Sequence, residues 1–230
     1  MKRSLPVLLS FNGGYVDTAG FLSLHGLFAA HVTGNFVTLG AALALGTSGI
    51  LAKLLALPLF CAVVILARLY RYALLRLNLP VLRMMLGLKL LILIAAAVMA
   101  IRLGPFATGD GWPALLTGMT LVTAMAIQNA AHRVHLGDSP PTTMVTGTTT
   151  QVMIDLADLL HGLPAESATA MRARVLRMSA SVVSFALGCA AAALLYSAVD
   201  VWCFAVPPLV AVVALVITEA NPAPVAPHRA

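Results

Sequence analysis

One carboxylate stands where a carboxylate is hardest to place. Asp17 lies about midway along an apolar segment, with Gly13, Gly14, Ala19 and Gly20 around it. At bilayer depth a charged side chain costs about 2.5 kcal/mol or more, faces the bundle interior, and usually marks function. No Lys or Arg is expected at comparable depth to pair with it, which suits a group that binds and releases a proton. His25 and His31 on the same arm are candidate partners. The competing reading is structural, with Asp17 accepting hydrogen bonds from the backbone of an interrupted helix.

Two Thr-Gly pairs form the second constellation. Thr33-Gly34-Asn35 and Thr146-Gly147-Thr148 each open a short apolar segment. Glycine lets a backbone or a solute approach closely and tolerates an unwound turn. Free N–H groups at a half-helix start attract anions or carbonyl oxygens. Two such starts meeting near the midplane would build a pseudo-symmetric solute site. Close helix packing by small residues is the alternative. Asn35, Thr38 and Ala42 share one helical stripe, and Thr148, Gln151 and Asp155 share the matching one. Asp155 is therefore a second candidate for proton coupling, whereas Asp158 and His161 read as solvated. Gln128 and Asn129 add amides that donate and accept without a charge cost. The candidate substrate-binding set is Asp17, Thr33, Gly34, Asn35, Gln128, Asn129, Thr146, Gly147, Thr148 and Gln151.

Catalytic readings fail on pattern. The chain has no His-Glu-x-x-His, no Gly-x-Ser-x-Gly, no paired Gly-x-Gly-Asp helices and no phosphate-binding loop. His132 and His135 sit three apart without a third ligand, which is weak ground for a metal. Cys61, Cys189 and Cys203 lie in apolar runs without metal spacing and read as small hydrophobes. The expectation is a protein that is no enzyme and uses no cofactor or metal.

The elements that must position these residues are membrane helices. Of 230 residues, 60% are hydrophobic and only 10% charged, against about 25% charged in soluble domains. The net charge of +6 comes with no basic surface domain, so it orients the chain in a bilayer and does not bind nucleic acid. Lys2 and Arg3 resemble a signal n-region, but Asn12 and Asp17 interrupt the run and no cleavage site closes it.

Eight helical segments are predicted. They are a (Leu5–Ala30), b (His31–Gly46), c (Leu54–Tyr70), d (Met84–Ile101), a′ (Pro113–Ala131), b′ (Thr143–Leu160), c′ (Met178–Ala198) and d′ (Val201–Ile217). The halves repeat. His31-Val-Thr-Gly-Asn35 matches Met144-Val-Thr-Gly-Thr148 at an offset of 113, and Asp17 falls on Gln128 at an offset of 111. If b and b′ are re-entrant half-helices, six crossings remain. The termini, Arg68, Arg71, Arg76, Arg83, Arg172, Arg174 and Arg177 then share the cytoplasmic side, as the positive-inside rule asks. Only Lys53 and Arg102 stay outside, and Lys89 would snorkel from the cytoplasmic end of d. An odd number of crossings per half makes the repeats inverted, an architecture of many secondary transporters. The expected fold class is therefore an all-α polytopic membrane protein of two inverted repeats, about six transmembrane helices plus two short half-helices. Eight full crossings are the alternative. Residues 1–220 form one transmembrane domain, with repeats at about 5–101 and 113–217, and 221–230 a Pro-rich disordered tail.

These motifs carry a resemblance. Gly14-Tyr-Val-Asp-Thr-Ala-Gly-Phe21 with Val32-Thr-Gly-Asn35, and Gln128-Asn-Ala-Ala131 with Pro141-Thr-Thr-Met-Val-Thr-Gly-Thr148, resemble the YoaK family of bacterial inner-membrane proteins, a domain of unknown function. The match covers nearly the whole chain and departs at His31, where the pattern has Asn or a similar polar residue. The resemblance implies a polytopic membrane fold and no particular substrate.

The functional expectation is a secondary transporter of a small polar or weakly anionic solute, proton-coupled through Asp17. A passive channel or facilitator is one alternative, and a non-transporting scaffold or sensor another. The absence of a buried cation would argue against a strongly charged anion. Membrane lipid and a small-molecule solute are the expected partners, in a bacterial inner membrane with both termini cytoplasmic. Small residues at Ala180, Ser184, Gly188 and Ala192 allow a close crossing within the chain or in a homodimer. Tyr70, Tyr72, Trp112, Tyr196 and Trp202 mark the interfaces, and Pro58 and Pro207-Pro208 would kink c and d′.

Overall fold

The computed structural model describes residues 4–162 and 164–219, so the 221–230 tail lies outside the described residues. Its elements are α1 (Ser4–Ser23), α2 (Gly34–Leu45), α3 (Ile50–Arg76), α4 (Val81–Leu103), α5 (Trp112–His135), α6 (Thr146–His161), α7 (Ala165–Val199) and α8 (Val206–Glu219). A 3-10 segment, Asp200–Ala205, leads into α8. No strand occurs among the described residues. Four helical stretches are long and apolar enough to cross a membrane. Large apolar side chains such as Leu54, Ile65, Leu66, Leu91, Val98, Leu187, Leu194 and Val213 point outward, as lipid-facing surfaces require. The chain is an all-α polytopic membrane protein.

Loop contacts define two faces. On one, the α1–α2 loop meets the α4–α5 loop through His25 and Phe106. The start of α3 meets the same loop through Asp110. Gly104, after α4, abuts Val201 between α7 and α8. On the other, Leu5 and Leu9 of α1 cluster with Leu86 of α4, Ala214 of α8 and Leu136 after α5. Helices α1, α3, α4, α5, α7 and α8 therefore run alternately between the faces, the fourteen residues of α8 being extended by the 3-10 segment that leads into it. The remaining two are short. Twelve residues in α2 and sixteen in α6 span about 18 and 24 Å, less than the roughly 30 Å hydrocarbon core.

Packing follows the internal repeat. Helix α1 packs on α7, and its repeat mate α5 packs on α3; α4 packs on α5, and its mate α8 on α1; α2 lies on α3 as α6 lies on α7. The contacts α1–α5 and α4–α8 join mates directly. Because α1 and α5 start at opposite faces, the two halves are inverted.

Two departures from the sequence expectation have local causes. Segment a does not run to Ala30: the helix ends at Ser23, and His25 (φ 55°) and Gly26 (φ 85°) turn the chain, leaving 24–33 irregular. Pro207 and Pro208 do not kink the last helix but occupy the first turn of α8, where a missing N–H costs nothing. The small-residue stripe is consumed inside the chain. A Cβ on Gly14 would fall 2.2 Å from the Phe185 carbonyl oxygen, and one on Gly188 2.1 Å from that of Phe11, so only glycines permit the α1–α7 approach. Ser184 and Ala192 are buried on the same face, whereas Ala180 is exposed. Trp112 and Trp202 stand exposed at one face, and Tyr72 beside Arg68 and Arg71 at the other.

Candidate functional site

Both halves send an irregular arm back into the bundle, and a polar residue of the preceding helix holds each arm. In the first half that residue is Asp17. Its Oδ1 accepts from the Ala30 N–H at 2.6 Å and its Oδ2 from the His31 N–H at 3.0 Å. Four residues after His31, Asn35 closes the arm on itself: its Oδ1 accepts from the Phe28 N–H at 2.9 Å and its Nδ2 donates to the Phe28 carbonyl at 2.8 Å. The His31 ring packs on Phe28. Asp17 and Asn35 are deep in the protein, 4% and 1% exposed.

In the second half Gln128 takes the place of Asp17. Its Nε2 donates to the Leu9 carbonyl at 2.9 Å and to Thr142 Oγ1 at 3.1 Å. The neighbouring Asn129 accepts from Thr143 Oγ1 at 2.7 Å and donates to the Met125 carbonyl. Gln128 Oε1 accepts from Lys89 Nζ at 2.5 Å. Lys89 is fully buried, which overturns the expectation that it would snorkel. It also removes the argument that the core holds no cation. Gln128 provides a neutral acceptor, and among the described residues no carboxylate bridges Lys89.

Asp155 forms a third cluster. Arg174 donates to it through Nε at 2.6 Å and Nη2 at 2.5 Å, and Gln151 Nε2 donates to Oδ1 at 2.7 Å. Arg174 is partly exposed while the Asp155 side chain is not, so this fork closes the α6–α7 hairpin near the N-terminal face. Asp158 and His161 are exposed, as expected of solvated groups.

The Thr-Gly pairs do not meet. Helices α2 and α6 share no packing contact, because each lies on a different long helix. Thr33, Thr146 and Gly147 are exposed, and Gly147 has open space where a Cβ would be. Gly34 is needed locally, since a Cβ there would press on the Phe28 ring. Nor does His25 partner Asp17. Its Nε2 donates to the Phe106 carbonyl and its Nδ1 accepts from Ser48 Oγ. The candidate residues thus divide between an Asp17–Asn35 arm, a Gln128–Asn129 arm and an Asp155–Gln151 hairpin.

Residues 5–217 match the family described as proteins of unknown function, DUF1275. The chain belongs to the DUF1275 family. The YoaK resemblance falls within this same family. No curated protein and no solved structure matches the chain.

Two features of this DUF1275 chain escape sequence reasoning. One is Lys89, whose position nine residues into its helix was compatible with snorkelling; only the packing of α4 on α5 buries it. The other is a polar knot at the face opposite the N-terminus. Lys53 Nζ donates to the His25 carbonyl at 2.7 Å and to that of Ser48 at 3.2 Å. The Gly109 N–H donates to Ser48 Oγ. The Asp110 carboxylate accepts from the Gly49, Ile50 and Leu51 N–H groups, capping α3 from another loop. Burial opposes ionisation of Asp110, but these N–H groups outweigh it and hold its carboxyl below the usual carboxylate range. The only sequence signal was the Gly-Asp-Gly turn before Trp112. Among the described residues no group of three His, Cys, Asp or Glu side chains converges to hold a metal.

Proposed function

We propose that this protein is a secondary transporter of a small polar or anionic solute. The observation that carries the reading is the pair of inverted halves, each with a re-entrant arm held by a buried polar side chain, Asp17 in one and Gln128 in the other. Inverted repeats with interrupted helices support alternating access, in which one half rocks against the other around a central site. Lys89, beside Gln128, extends the solute class toward anions.

Asp17 is the coupling residue in this reading. As a carboxylate it can accept from both arm N–H groups. A protonated carboxyl keeps less acceptor capacity, so proton uptake loosens the 24–33 arm and proton release tightens it. The excess of Arg at the face where α1 begins supports a bacterial inner-membrane protein with that face, and both termini, on the cytoplasmic side.

The test is uptake of labelled small organic and inorganic anions into proteoliposomes, with and without an imposed pH gradient. Gradient-driven accumulation in the wild type, with exchange but no accumulation in Asp17→Asn, is the expected result. Equilibration that ignores the gradient identifies a facilitator, and wild-type pH dependence in Asp17→Asn removes the coupling role.

A further inference from the structure

Hydroxyls on membrane helices normally bond the carbonyl one turn back. Thr120, Thr123, Thr149, Thr150 and Thr218 all do so here. Thr117, on α5 and away from α6 and α7, does not, and neither do Ser10, Thr148 and Ser181. These last three are 0%, 4% and 1% exposed, and their hydroxyl oxygens have no hydrogen-bond partner. Leaving a buried hydroxyl unpaired is costly, so three together need an explanation.

Helix register brings the three together. Helices α6 and α7 form an antiparallel hairpin in which Asp155 meets Arg174. Seven residues, or about two turns, deeper on each helix, Thr148 stands opposite Ser181. Helices α1 and α7 run parallel, with Ser184 bonded to the Val7 carbonyl and Gly188 against Phe11. That register puts Ser10 and Ser181 within about one turn of each other, both on the faces the two helices share. Helices α1 and α6 each pack on α7 but not on each other, which leaves a seam between them with hydroxyls on all three sides. The Thr142 carbonyl oxygen borders it, against Gly13. Behind Thr142 stand Gln128 and the Lys89 cation.

We propose that this α1–α6–α7 seam is a binding site for a small monovalent anion, of halide, nitrate or formate size. Three hydroxyls supply donors that can all turn toward one anion. Lys89 supplies a positive potential at short range in a low-dielectric interior, relayed through Gln128 and Thr142. A metal cation would meet the same oxygens but would be repelled by Lys89. The Asp155–Arg174 fork closes the seam on the N-terminal side. The proposal deepens the transport reading by naming the solute class, but binding itself does not require transport.

The experiment is thermal unfolding of the purified full-length protein in detergent, at constant ionic strength, with sodium gluconate replaced stepwise by sodium chloride, nitrate or formate. A saturable rise of about 3 °C or more is expected near saturation. It should persist when sodium is exchanged for potassium at fixed chloride, vanish in Ser181→Ala and Thr148→Ala, and survive in Thr148→Ser and Thr123→Val. Thr148→Ala alone decides if Ser181→Ala does not fold. An absent shift, a shift that follows the cation, or one unchanged in Thr148→Ala overturns the site. Hydroxyl-dependent binding without uptake overturns transport and leaves the site standing; uptake without it does the reverse.

Discussion

The two re-entrant arms descend from one repeat and are held by different chemistry. Arm one is fixed by a charge and a clamp: Asp17 takes two N–H groups, and Asn35 takes both polar groups of Phe28. Arm two is fixed by neutral amides, with Gln128 on Thr142 and Asn129 on Thr143. Where Asn35 sits in arm one, arm two has Thr148, whose hydroxyl bonds nothing. Arm one is thus held by paired groups, while arm two runs beside the buried Lys89 side chain and is followed by an unpaired hydroxyl. Inverted repeats need not be functionally equal, and here the unpaired hydroxyl at the position equivalent to Asn35 belongs to the second half.

The largest expected effect separates the roles of Gln128 and Lys89. Gln128→Leu removes the Lys89 acceptor and leaves a buried cation uncompensated, which should cost about 3 kcal/mol or more. Lys89→Met removes the cation itself and should leave stability within about 1 kcal/mol of wild type, or raise it. Unfolding in mixed detergent measures both. Equal losses would mean that Lys89 is structurally required.

A smaller contrast compares the equivalent positions directly. Asn35→Ala strips two hydrogen bonds from buried backbone and should cost about 1–3 kcal/mol, with faster amide exchange confined to residues 24–33. Thr148→Ala removes an unpaired buried hydroxyl, a gain of about 1–3 kcal/mol, against one lost buried methyl group, about 1 kcal/mol, and should leave stability unchanged or raised. A comparable loss at Thr148 would break the asymmetry.

The smallest effect belongs to the loop that anchors arm one from outside. Asp110 is more acidic in the folded chain than unfolded, so its contribution is complete above the unfolded pKa of about 4. It disappears as pH falls through the lower folded value. Protection of the Gly49 and Leu51 amides should therefore decline on acidification below about pH 4, and Asp110→Asn should flatten that decline. Protection independent of pH in the wild type would show that the cap does not depend on the charge.

Much of the architecture was legible because it rests on composition and period. Each predicted segment corresponds to one observed helix, and the offsets of 111 and 113 pair Asp17 with Gln128 and Asn35 with Thr148 as the packing does. What failed involved the third dimension. Hydropathy extends segment a to Ala30 because apolar residues continue past Ser23, whereas His25 and Gly26 adopt left-handed backbone that hydropathy does not report. The Thr-Gly pairs were expected to meet by analogy with symmetric sites, but α2 and α6 lie on different long helices. Ser10 and Ser181, 171 residues apart in the chain, share no local signal at all.

From the sequence alone come the membrane class, the helical elements, the duplication and the Arg asymmetry, because transfer free energies and side-chain periodicity act locally along the chain. Tertiary structure alone decided that Lys89 is buried on Gln128, that Arg174 forks onto Asp155, and that Asp110 caps α3. Each of these depends on which helix faces which, and that is set by close packing at places such as Gly14 and Gly188, where a single added methyl group would shift the register of the helices that carry every other contact.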